Sequence, residues 1–152
     1  MSDEAELNSA LEARVRAEIE ALHHFFVGWF TGVLDEQAFQ PGFLDRFDPG
    51  FLLIPPAGVV LRLGDLATQI RQAHGSNPKF RIAIRNVRLR RHNDGQVLAT
   101  YEEWQRNALA SIPLDNGRIA TVWFDRSEPL RWLHVHETWM PSVQMQAGPF
   151  DF

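Results

Sequence analysis

The chain has 152 residues, 45% hydrophobic and 22% charged, with a formal net charge of −4; that length accommodates one core of ordinary size and predicts a single domain over 1–152. Its 11 Phe and 5 Trp carry more large apolar surface than a disordered chain keeps in water, and the lack of cysteine excludes disulfides, thiolate metal sites and thiol nucleophiles. The negative balance disfavours nucleic acid, which needs an excess of Lys and Arg, and the apolar run Phe25 to Leu34, which has no charge or His, is about half of the roughly 20 residues of a membrane span.

From Glu4 to about Thr31, Leu7, Leu11, Val15, Ile19, Leu22, Phe26 and Trp29 recur at steps of three and four, which predicts one long amphipathic helix. Its second half, His23 to Phe30, is apolar nearly all round and must be covered on several sides, as by a sheet that wraps it. A short helix is expected within Asp35 to Phe47, interrupted at Pro41-Gly42, followed by a turn at Asp48-Pro49-Gly50 and a buried strand from Phe51 to Ile54. Pro55-Pro56-Ala57-Gly58 reverses the chain into Val59-Val60-Leu61, and Gly64 to His74 reads as a helix through Leu66, Ile70 and Ala73.

After Pro78 the pattern changes to long strands. Ile82 and Ile84 share one parity and Val87 and Leu89 the other, which predicts a β-bulge near Arg85-Asn86. Asn93-Asp94-Gly95 is a hairpin signal leading into a strand from Gln96 to about Ala108, and two more strands span Arg118 to Arg126 and Leu130 to Met140. The tail from Pro141 to Phe152 shows no period. The acidic start, Met1 to Glu6, differs from the basic and then apolar pattern of a secretory signal, so a cytoplasmic location is expected.

A long helix, short helical pieces around a small hairpin and four long strands with a bulge resemble the nuclear transport factor 2-like superfamily over roughly Leu7 to Met140. The sharpest local resemblance is to the association domain of calcium/calmodulin-dependent protein kinase II, in Asp48-Pro49-Gly50, Asn86, Val122-Trp123 and Trp132-x-x-Val135-His136. The chain is also similar to the polyketide cyclase-like and ketosteroid isomerase-like branches. The resemblance implies an α+β cone, with the long helix and short helices packed in the concave face of a curved, bulged antiparallel sheet. It further implies a small-molecule pocket in the concave face and a homodimer through the convex one.

Alternation along the last strand, together with the resemblance, puts Leu133, Val135, Glu137 and Trp139 on the concave face. Matching the preceding strands adds Tyr101, Glu103, Gln105, Thr121 and Trp123, and the helix contributes Phe26, Trp29 and Phe30. Glu103, Thr121 and Trp139 stand where the association domain clusters arginines, so an acid-containing pocket for an apolar or aromatic ligand is expected. The ketosteroid isomerase-like branch carries a helix Tyr and paired aspartates, where this helix offers Phe26, Trp29 and Phe30.

Glu103 and Glu137 are the candidate catalytic pair: two carboxylates among aromatic rings, separated by about 10 Å of backbone, can differ in pKa and act as general acid and base. The competing reading pairs either Glu with an arginine such as Arg106, or leaves it in solvent at the rim. Three functions stay open: a small-molecule-binding protein; a cofactor-independent isomerase, cyclase or dehydratase; and a structural homo-oligomerisation module.

No cofactor and no metal are expected. His134-x-His136 has a spacing that points two imidazoles the same way, but on this parity they face the convex side. His23 and His24 diverge by about 100° on a helix, so at most one faces the pocket. Of the 5 arginines from Arg81 to Arg91, Arg88 and Arg90 are expected to pair with Glu102 and Asp125, and Trp104, Phe124 and Trp132 to form the apolar dimer patch.

Overall fold

The computed structural model describes residues 3–152. Helix α1 (Asp3–Thr31) is followed by a 3-10 turn (Glu36–Ala38), α2 (Phe39–Gly42), a second 3-10 turn (Leu44–Arg46), β1 (Phe47–Ile54), β2 (Leu61–Arg62) and α3 (Leu63–Gln72). Strands β3 (Arg81–His92), β4 (Gln96–Arg106), β5 (Asn116–Asp125) and β6 (Arg131–Trp139) complete the sheet, and α4 (Ser142–Ala147) lies in the tail. The strand order is β2-β1-β6-β5-β4-β3, antiparallel throughout except that β1 runs parallel to β6. No helix among the described residues is long and apolar enough to cross a membrane.

Apolar residues of α1 at helical spacing, Leu11, Val15, Ile19, Leu22, Phe25 and Trp29, are all buried against the curved sheet and the short helices. Pro41 and Gly42 do not interrupt a helix but lie inside α2, because a Pro in the first turn removes an N–H that has no intrahelical partner. Gly42 is needed there: a Cβ would stand 2.7 Å from the Phe25 ring, so its absence lets α2 approach α1. Asp48-Pro49-Gly50 turns within β1 rather than before it, and the Gly50 N–H donates to Asp48 Oδ2 at 2.8 Å. The β1–β6 pairing therefore jumps from Phe47–Trp132 to Leu52–His134.

The register of β3 and β4 shifts between Arg85 and Arg88, where Asn86 takes φ 53°. This bulge turns Val87 and Leu89 to the side already occupied by Ile84, so both halves of β3 meet the core. A further shift falls in the β5–β6 pairing, where Trp123 faces His134 and Phe124 faces Trp132. It leaves Leu133 as the extra residue and brings Trp132 round to the side of Val135. Phe124 and Trp132 therefore lie in the core, at 0% and 1% exposure with ring centroids 4.7 Å apart, and do not form an outer patch.

The parity expected for β5 is corrected by its register. Residues opposite one another on paired strands share a face, and those opposite Tyr101 and Glu103 are Ala120 and Arg118. Ala120, Val122 and Phe124 consequently point inward, whereas Thr121 and Trp123 point outward and Trp123 is 43% exposed. Trp104 does lie on the outer face, but it is buried there by the chain's own tail through Phe150. The arginine pairing expected on β3 is also replaced. Arg90 donates to Thr100 Oγ1, and Glu102 accepts from the Trp104 indole and Asn86.

Candidate functional site

A cavity of about 760 Å³ opens between the second half of α1, α3 and the concave face of the sheet. Leu22, Phe26 and Phe30 of α1 and Leu66 and Ile70 of α3 form an apolar roof. The floor is polar, because Tyr101, Glu103 and Gln105 of β4, Arg118 of β5 and Glu137 of β6 project from neighbouring strands. Alternation puts them there: each is two residues from the next inward position on its strand.

His23 links roof and floor. Its Nδ1 lies 2.7 Å from the Ile19 carbonyl, which can only accept, so Nδ1 carries a hydrogen. Nε2 lies 2.9 Å from Glu103 Oε1, and one proton must occupy that contact too. Burial by itself would lower the imidazole pKa, but the Glu103 charge and hydrogen bond outweigh it and hold His23 above its ordinary 6.5. Burial likewise pushes Glu103 up, yet His23, Arg118 and Gln105 bring its pKa down to about 2. The pair is an imidazolium and a carboxylate. With Oε2 accepting from Gln105 Nε2 at 2.5 Å, both oxygens of Glu103 are engaged.

Glu137 differs. It is 8% exposed, and its Oε1 stands 3.4 Å from Arg118 Nη1, long for a charge-assisted hydrogen bond. Burial first, and then the Glu103 charge, raise its pKa to about 7 against the opposing pull of Arg118 and His23. Arg118 itself is braced by Asn116 Oδ1 at 3.2 Å and by the Trp139 ring 4.9 Å from its guanidinium carbon, and its Nε has no partner among the described residues. Tyr101 stays neutral, its pKa pushed well above 10.0 by burial and then by the two carboxylates.

Of the residues expected at the pocket, Phe26, Phe30, Tyr101, Glu103, Val135 and Glu137 line the cavity. Trp29 lies behind its wall, fully buried, with its indole N–H donating to the Ile70 carbonyl and its ring stacked on His74 at 3.9 Å. Trp139 shares the inward parity but sits beside Arg118 outside the cavity lining, 38% exposed, and Thr121 and Trp123 are on the outer face. Arg106 does not reach either Glu; it donates to the Phe152 carbonyl. Sequence reasoning missed Arg118 and the role of His23. The run Ala120, Val122, Phe124 set against Thr121 and Asp125 was the signal for the correct β5 parity, and that parity carries Arg118 inward.

His134 and His136 stand on the outer face opposite Trp123 and Thr121, with ring centroids 6.5 Å apart. Among the described residues, no three His, Asp or Glu side chains group as metal ligands.

No protein-family model matches the chain, and no curated protein matches it. Among solved structures, it is similar to an NTF-2 like protein of unknown function from Pseudomonas aeruginosa, at 28% identity and a TM-score of 0.76 over 84% of this chain and 99% of that one. An uncharacterised protein with a cystatin-like fold from Caulobacter vibrioides is similar at 15% identity and a TM-score of 0.62, over 90% and 94% of the two chains. The CamKII hub homology domain of Chlamydamonas reinhardtii is similar at 12% identity and a TM-score of 0.62, over 85% and 98%. The helix-filled, curved and bulged sheet and these likenesses agree: the chain has the cystatin-like α+β fold of the nuclear transport factor 2-like superfamily.

Proposed function

We propose that the protein binds a small apolar or aromatic molecule in the cavity, with the body of the ligand against Phe26, Phe30 and Val135 and its polar group over Tyr101 and Glu137. The observation that carries this reading is the contrast between an apolar roof and a polar floor in a cavity of about 760 Å³, large enough for a drug-sized molecule. A purely structural module has no use for a cavity of that size, since unfilled apolar space weakens a core. Native mass spectrometry of protein purified without denaturation tests the reading. A bound small molecule, lost in a cavity-filling Val135→Trp variant that still folds, is expected. Failure of a broad panel of apolar compounds to bind or to shift the melting temperature would overturn it.

A second reading, a cofactor-independent isomerase, cyclase or dehydratase, draws support from the division between the two carboxyls. Glu103 has both oxygens bonded, whereas Glu137, with a pKa of about 7, can give or take a proton near neutral pH. Glu137 is then the general acid or base, and Glu103 holds the charge that tunes it. Glu137→Gln separates the readings, abolishing turnover under the second and changing only affinity under the first.

The proposed assembly is a homodimer through the outer sheet face. Trp123 and Ile119, at 43% and 37% exposure, lie there with Thr121 and His136, on the part of the sheet that the tail leaves open.

A further inference from the structure

Trp104 lies on the outer face of the sheet, where β3 and β5 place Ala83 and Gly117 opposite it. A Cβ at Gly117 would stand 2.8 Å from the indole, so the ring lies directly over that glycine. Neither neighbour is large enough to cover it, yet Trp104 is only 4% exposed. The cover is the tail: Phe150 meets the indole edge-on at 5.5 Å.

Arg85 completes the contact. Its guanidinium carbon lies 5.4 Å from the Trp104 ring and 5.5 Å from the Phe152 ring, while Nη2 donates to the Pro149 carbonyl at 2.9 Å and meets Asp151 Oδ1 at 3.1 Å. Arg106 donates to the Phe152 carbonyl and stands 5.8 Å from the same ring. Each residue of Pro-Phe-Asp-Phe thus has a partner on the sheet: Arg85 for the Pro149 carbonyl and the Asp151 carboxylate, Trp104 for the Phe150 ring, and Arg85 with Arg106 for Phe152.

The tether behaves differently from the site. No residue of α4 is buried, and the hydrogen bonds, ion pair and ring contacts described above all come from residues 149–152. Gly148, at φ 69°, makes the reversal; a Cβ there would lie 2.8 Å from the Phe150 nitrogen.

We propose that the outer face of β3–β4 is a recognition site for an extended aromatic–acidic–aromatic peptide, which residues 149–152 occupy as a tethered ligand. A short tether supplies an effective concentration on the order of millimolar, so a peptide in solution competes poorly until the tail is weakened.

The test uses the full chain and a fluorescent peptide, Gly-Pro-Phe-Asp-Phe, followed by anisotropy. The Phe150→Ala/Phe152→Ala variant should bind it at least about tenfold more tightly than the unaltered chain does. Adding Arg85→Ala should remove that gain, and Gly-Pro-Ala-Asp-Ala should not bind. No binding to the folded double variant, or equal binding to both chains, overturns the proposal. If the double variant does not fold, Gly148→Ala keeps both aromatic side chains but strains the turn and crowds the Phe150 ring, which a new Cβ would approach to 2.9 Å. It should then bind the peptide more tightly than the unaltered chain, and the absence of any gain there overturns the proposal as well.

Discussion

The His23 imidazole and the Glu103 carboxylate are locked together at 2.9 Å, because the second ring nitrogen is committed to the Ile19 carbonyl and the second carboxylate oxygen to Gln105. Removing one partner leaves the other buried and uncompensated. His23→Phe should therefore destabilise the protein by about 3–5 kcal/mol at neutral pH in denaturant melts. Glu103→Gln instead lets the histidine discharge, since burial alone lowers its pKa. The His23 titration in that variant, followed by imidazole NMR, should fall below 6.5. A His23 that stays charged at neutral pH without Glu103 contradicts the pairing.

The pH dependence of stability should carry opposite signatures from the two floor carboxyls. Glu103 has a depressed pKa, so its contribution is present above the ordinary 4.5 and is lost as pH falls toward about 2. Glu137 has a raised pKa, so the folded state holds its proton more tightly. Its contribution is full below 4.5 and is lost as pH rises through about 7, a change on the order of 3 kcal/mol. Glu137→Gln should flatten the decline between those limits and be more stable than the unaltered chain at pH 8. Parallel stability curves for the two proteins from pH 5 to 8 would show that Glu137 is not the titrating group.

Trp132 and Trp123 make opposite predictions although both are β-strand tryptophans. Trp132 is buried among Phe47, Phe124 and His23, and its indole N–H donates to Glu18 Oε2 at 3.1 Å, so Trp132→Ala should cost about 3–5 kcal/mol. Trp123 is 43% exposed on the outer face; Trp123→Glu should leave the fold intact and convert the proposed dimer into a monomer of 17.4 kDa by light scattering. A dimer that survives Trp123→Glu places the interface elsewhere.

The order of elements was legible because hydrophobic period and turn chemistry are local. Heptad-like apolar spacing marked α1, and the parity switch at Arg85-Asn86 marked the β3 bulge, which the structure has at Asn86. What was not local was less legible. The Trp123/Phe124 register shift sits in a strand pair whose sequence shows no parity break of the β3 kind, and with it went the facing of Trp132. Arg118 was hidden behind the wrong β5 parity: it shares a face with Ala120, Val122 and Phe124, and the pairing that fixes that face, Arg118 opposite Glu103, appears only in the sheet. The tail reads as patternless because its last residues are fixed by individual contacts to Arg85, Trp104 and Arg106, which no periodicity encodes.

The most direct test is the carboxyl titration of the cavity floor, read by carbon-13 NMR of glutamate-labelled protein. One buried carboxyl, assigned by its loss in Glu137→Gln, should titrate at about 7, and a second, lost in Glu103→Gln, at about 2. An apolar ligand seated in the cavity should move the first midpoint and leave the second in place. If both carboxyls titrate together in the ordinary 4 to 5 range, the floor is solvated and the account of the cavity as a tuned binding site is wrong.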